Sequence, residues 1–84
     1  MQNIRFGQYE WIPTPFLEHE VKEETKSGKA WKFQYRDRFG QQRVEYISKE
    51  YSRVLEDEEG KRRWYLRPLL FNRVSYFMQG KENL

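Results

Sequence analysis

The chain contains no cysteine, which removes disulfide staples, thiolate metal ligands and thiol nucleophiles together. It has one histidine, His19, so imidazole chemistry rests on a single side chain. No apolar run approaches the roughly 20 residues needed to cross a bilayer. The opening residues Met1-Gln2-Asn3-Ile4-Arg5-Phe6 lack the apolar stretch of a secretory signal. The expectation is a cytoplasmic protein with no membrane partner.

The sparse chemistry narrows the function classes further. His19 is flanked by Glu18 and Glu20, with Glu23 one helical turn beyond; a helix there would bring His19 and Glu23 to one face, but an acidic, solvated segment is the plainer reading, and no metal site is assigned. Ser27, Ser48, Ser52 and Ser75 stand in no nucleophile-elbow context. Carboxylates such as Glu10, Glu45 and Glu50 show no pairing that marks an acid–base couple. Ser27-Gly28-Lys29 lacks the upstream glycines of a phosphate loop, and the acidic stretch at 56–60 lacks the alternating ligands of a calcium loop. The expectation is a protein that is not an enzyme and needs no cofactor.

What is present in quantity is aromatic bulk and charge. Three tryptophans, six tyrosines and six phenylalanines in 84 residues can supply the burial that so short a chain needs. The net charge is +3, but it is unevenly spread. Residues 29–54 and 61–73 are strongly basic, whereas 55–60 carries Glu56, Asp57, Glu58 and Glu59 with no base. More than half of the basic residues are arginine, the side chain suited to bidentate contact with carboxylate or phosphate.

Period-two alternation in Trp31-Lys32-Phe33-Gln34-Tyr35-Arg36 predicts a half-buried strand turning through Asp37-Arg38-Phe39-Gly40. A turn centred on Arg38 and Phe39 would set Tyr35 opposite Gln42, Phe33 opposite Val44 and Trp31 opposite Tyr46. That register collects the aromatics on one face; a slip of one residue, with Phe33 against Glu45, would spoil both faces. Gly40 can alternatively close a longer loop. A second hairpin is expected from about Tyr51 to Leu66, turning through Asp57-Glu58-Glu59-Gly60. Two registers fit it: Tyr51 opposite Leu66 with Arg53 opposite Trp64, or Val54 beside Trp64 with a bulge or shifted loop.

Thr25-Lys26-Ser27-Gly28-Lys29 is a third turn candidate, preceded by a weak strand or helical turn over 16–23. Ile4 to Ile12 reads as a strand, after which Pro13 and Pro15 stop regular pairing. The C-terminal segment has two readings. Pro68 can open a short helix carrying Leu70, Val74 and Phe77 on one face with Gly80 just past its end, or Phe71, Val74, Tyr76 and Phe77 can form a strand edge. No internal repeat is evident. The predicted fold is all-β: a small antiparallel meander or half-open barrel of SH3-like or OB-like size. It spans residues 1–84 as one domain, with an extended arm over 1–15 and a frayed tail over 79–84.

Basic and aromatic interleaving is the strongest functional signal. Lys32, Arg36, Arg43, Arg63 and Arg67, with Tyr65 as a stacking residue and Phe39 next, are the expected contacts to DNA or RNA. The opposing reading is that the acidic run at 56–59 cancels Lys61, Arg62 and Arg63 across their turn. A second class is a protein-interaction or inhibitory module, with Trp11 and Tyr9 as partner-binding anchors and an unpaired edge strand that can add to a partner or form a homodimer.

The stretch Gly28-Lys29-Ala30-Trp31-Lys32-Phe33-Gln34-Tyr35-Arg36-Asp37-Arg38-Phe39-Gly40-Gln41-Gln42-Arg43 resembles the first hairpin of the small arm-binding domains that precede the core of tyrosine recombinases. Those domains pass into a helix after the sheet, whereas this chain is expected to pass into a second hairpin. The resemblance assigns no family and transfers no residue.

Overall fold

A computed structural model describes residues 2–68. Six strands are formed: β1 (Ile4–Phe6), β2 (Tyr9–Leu17), β3 (Ala30–Arg36), β4 (Gln42–Ser48), β5 (Ser52–Glu56) and β6 (Arg62–Leu66). They make a four-stranded antiparallel sheet in the order β1-β2-β6-β5 and a separate two-stranded ribbon of β3 and β4. Two single-turn 3-10 segments, Glu18–Glu20 and Lys49–Tyr51, connect strands. The expected all-β, half-open barrel is the fold observed, with its larger sheet curled and open. The curl brings its two edge strands within side-chain reach. Arg53 of β5 sets its guanidinium 4.4 Å from the ring centroid of Phe6 in β1, and the Gln2 amide donates to Glu58 Oε1 at 2.9 Å.

The core lies between the curled sheet and the ribbon. Phe16, Val21, Phe33, Tyr35, Ile47, Trp64 and Leu66 are buried together, with Trp31, Tyr51 and Val54 packed against them. The rings meet edge to face: Phe33 against Phe16 at 5.3 Å and against Trp64 at 5.4 Å, and Trp64 against Trp31 at 5.3 Å. Edge-to-face contact sets the positive rim of one ring on the negative face of the next, adding about 0.5–1.5 kcal/mol per pair beyond burial. Strand β6 is central, and its residues Arg63, Trp64, Tyr65 and Leu66 are all buried.

Two sequence expectations are corrected. First, the ribbon pairs Trp31 with Ile47, Phe33 with Glu45, Tyr35 with Arg43 and Arg36 with Gln42, one residue away from the expected register. The turn decides this. The Asp37 amide donates to the Gln41 carbonyl and the Gly40 amide to the Asp37 carbonyl, both at 3.0 Å, with Gly40 at φ 81°. That is a loop of three residues closed by a left-handed glycine rather than a loop of two. Phe33 is therefore buried, while Val44 and Tyr46 turn to the opposite, exposed side. Ile47 fills the core place that Val44 and Tyr46 vacate.

Second, residues 4–12 are not one strand. Gly7 at φ 66° turns the chain between β1 and β2, and β2 runs on through Pro13 and Pro15, with an irregularity against β6 between Pro13 and Leu17. The segment after β2 takes the helical-turn alternative over part of its length: a single 3-10 turn at Glu18–Glu20 leads to an isolated bridge of Glu24 with Trp31. The second hairpin adopts the Val54–Trp64 register. The C-terminal helix-or-strand segment beyond Pro68, Arg73 and the tail 79–84 lie outside the described residues.

Candidate functional site

The two hairpin turns are built alike, which the expectation of no internal repeat missed. Asp37-Arg38-Phe39-Gly40-Gln41-Gln42-Arg43 and Asp57-Glu58-Glu59-Gly60-Lys61-Arg62-Arg63 share the pattern D-x-x-G-x-x-R. In the first, Asp37 Oδ1 accepts from the Phe39 and Gln41 amides at 2.9 Å, and Oδ2 accepts from Arg43 Nε at 3.0 Å. In the second, Asp57 Oδ1 accepts from the Glu59 and Lys61 amides at 2.9 Å, and Oδ2 accepts from Arg63 Nε at 2.9 Å. The backbone closure repeats as well, with Gly60 at φ 77°. The spacing of aspartate, glycine and arginine was the legible signal. It went unread because the intervening residues differ in charge and bulk.

The carboxylates are tuned by these contacts. For Asp37, burial works against the charge, but the Gln41 amide, the Arg43 guanidinium and the Phe39 amide outweigh it and hold the pKa below its ordinary 3.8. For Asp57, the hydrogen bond from Arg63 leads, joined by the Lys61 and Glu59 amides against desolvation, and the pKa is again lowered from 3.8. Both turns therefore carry an inward-facing aspartate held ionised by backbone amides and by its own arginine.

The expected contacts to nucleic acid are divided by this architecture. Arg63 is buried, held by Asp57 and donating Nη1 to the Thr14 carbonyl at 3.0 Å. Thr14 in turn donates its hydroxyl to the Trp64 carbonyl at 2.8 Å. Tyr65 is 1% exposed, so it cannot stack on a base, and burial first of all raises its pKa above 10.0. Arg43 braces its own turn through Asp37. Arg67 lies at another part of the surface, its guanidinium 3.8 Å from the Tyr9 ring centroid and 5.3 Å from that of Tyr51. Trp11 is buried and donates Nε1 to the Phe6 carbonyl at 3.3 Å, so it is no exposed anchor; Tyr9 is exposed under its arginine.

Lys32 and Arg36 do fall together. The register places Lys32, Gln34 and Arg36 of β3 beside Tyr46, Val44 and Gln42 of β4 on the outer face of the ribbon. That face carries no acid of its own, though Glu23 reaches Lys32 Nζ at 3.4 Å. Tyr46 and Val44 are 49% and 40% exposed, so an aromatic stands where Tyr65 was expected to serve. At the ribbon's tip, Arg36 Nη1 donates to the Gly40 carbonyl at 3.0 Å. Phe39 there is 70% exposed, with the Arg38 guanidinium 5.1 Å from its ring centroid.

Other surfaces offer less chemistry. His19 sits exposed in its 3-10 turn, and among the described residues no group of three or more His, Asp or Glu side chains is placed to hold a metal ion. Among the same residues no helix is long and apolar enough to cross a membrane.

These features define a small β domain of interaction type, marked by exposed aromatics and open strand edges. No protein-family model, curated protein or solved structure matches the chain.

Proposed function

We propose that the β3–β4 ribbon contacts nucleic acid through its outer face and tip, without catalysing a reaction. The observation that carries this is the alignment of Lys32 and Arg36 with Tyr46 on a face whose two strands contribute no acid, Glu23 reaching Lys32 from the preceding segment, continued by Arg38 and Phe39 at the turn. A two-stranded ribbon is narrow enough to lie along a groove or a single strand, and cations with aromatic platforms meet the two constant features of any nucleic acid, phosphate and base. Arg43 and Arg63 support the scaffold in this reading and do not touch the ligand.

Affinity for DNA and RNA oligonucleotides measured against salt tests it. Binding is expected to weaken as salt rises, and Lys32→Gln or Arg36→Gln is expected to reduce the salt slope by about one each. No measurable binding at low salt would end this reading. A second reading, a protein partner or a second copy adding a strand at β4, is favoured by one feature: β4 pairs only with β3 among the described residues while presenting Val44 and Tyr46 to solvent. A concentration-dependent rise in mass by light scattering, abolished by Val44→Lys, is its expected signature.

A further inference from the structure

The two hairpins provide their own comparison. Backbone closure, left-handed glycine and aspartate–arginine brace coincide, so the residues between them are free to differ, and the two between aspartate and glycine stand at the tip. The second hairpin fills them with Glu58 and Glu59, and the first with Arg38 and Phe39. An acidic pair keeps its charges hydrated in a solvated turn. A phenylalanine 70% exposed at the same place contributes nothing to the core, and no packing requirement accounts for it. Its loop is nonetheless held by three hydrogen bonds to one carboxylate. A ring presented on a fixed loop loses little conformational freedom when it is bound.

The surroundings specify the chemistry of what it meets. Arg38 holds its guanidinium over the ring, 5.1 Å from its centroid, and Arg36 donates to the Gly40 carbonyl of the same turn, while the turn's own carboxylate points inward and is paired with Arg43. An exposed ring with two guanidinium groups in the same turn matches a nucleobase and its neighbouring phosphates. In a duplex the base faces are already stacked on each other, whereas in a single strand they are open. We propose that the Arg38–Phe39 tip is a base-stacking element selective for unpaired nucleotides: Phe39 takes one base face, and Arg36 and Arg38 take the flanking phosphates. This rests on the nucleic-acid reading above and adds its substrate class.

Fluorescence anisotropy with a labelled oligothymidine strand and a blunt duplex of equal length, at low salt, tests it. The wild type is expected to bind the single strand more tightly. Phe39→Ala should weaken single-strand binding by about 5- to 100-fold while changing duplex binding less than about twofold, and Phe39→Tyr should keep most of the preference. Glu59→Ala, the equivalent position of the matched turn, should leave both affinities unchanged. Phe39 and Glu59 are exposed, so all these variants fold. If the wild type binds neither probe, the nucleic-acid reading itself fails. If it binds but Phe39→Ala leaves single-strand affinity intact, or weakens both probes equally, only the stacking proposal fails. Loss of binding to phosphatidylserine vesicles in Phe39→Ala, with oligonucleotide affinity unchanged, overturns it in favour of a membrane contact.

Discussion

Arg63 donates Nε to Asp57 Oδ2 at 2.9 Å, and the two side chains are 11% and 0% exposed, so neither has water to replace the other. The corresponding pair in the first hairpin, Arg43 with Asp37, leaves its arginine 45% exposed. Removing one partner of a buried ion pair strands the other charge, whereas an exposed partner rehydrates. Asp57→Asn is therefore expected to lower the melting temperature by roughly 10 °C or more, and Asp37→Asn by clearly less. Thermal unfolding followed by circular dichroism checks the order, and equal losses in the two variants would contradict the burial argument.

Acid stability follows from the same two carboxylates. Both have folded pKa values below 3.8, so the unfolded chain takes up their protons first as pH falls. Their stabilisation is complete above about pH 4–5 and is lost as pH drops through the lowered folded values. Denaturant midpoints measured from pH 7 to pH 2 should fall steeply below pH 4, and the double variant Asp37→Asn/Asp57→Asn should show a flatter acid limb.

Tyr65 gives the opposite limb. Burial foremost, with the charges of Asp57 and Glu58, raises its pKa above 10.0, against an opposing effect of Arg63. Above pH 10 the unfolded tyrosine ionises while the folded one resists, so stability declines with rising pH. In Tyr65→Phe part of that decline should disappear. An unchanged alkaline limb would mean that Tyr65 does not contribute to it.

The register of the ribbon is open to a direct test. Val44→Thr and Tyr46→Ser, on the outer face, are each expected to change stability by less than about 0.5–1 kcal/mol. Ile47→Ala, with its side chain fully enclosed, is expected to cost about 2–5 kcal/mol. Urea midpoints distinguish this from the register that buries Val44 and Tyr46, in which the order of costs would reverse.

Gly40 sets that register through its left-handed backbone at φ 81°, and a Cβ there meets nothing within 4 Å. Gly40→Ala should therefore cost only the backbone term, about 1–2 kcal/mol. A D-alanine introduced at the same position by chemical synthesis should remove that loss, because the mirror-image residue favours positive φ. Equal destabilisation by both forms would point to a steric clash instead.

Strand identity was legible in the sequence because period-two alternation at 31–36 and turn residues at 37–40 and 57–60 are local properties of the chain. The all-β class follows from them. Which residues lie inside was not. Parity along β4 depends on whether the loop before it holds two residues or three, and that depends on a carboxylate gathering two amides and an arginine. Local alternation favoured the aromatic-rich register, but the turn's hydrogen bonds fixed the other, with Ile47 supplying the burial that made it tolerable. Charge behaved likewise. The sequence determined that arginines cluster near residues 36–43 and 61–67, since that is composition. Only the tertiary structure decided that Arg63 is consumed inside the protein and Arg67 is stacked on tyrosines, while Lys32, Arg36 and Arg38 share one face and tip. The physical reason is that a side chain's role depends on the neighbours that folding brings from distant segments, such as Thr14 beside Arg63, and spacing along the chain carries no record of them.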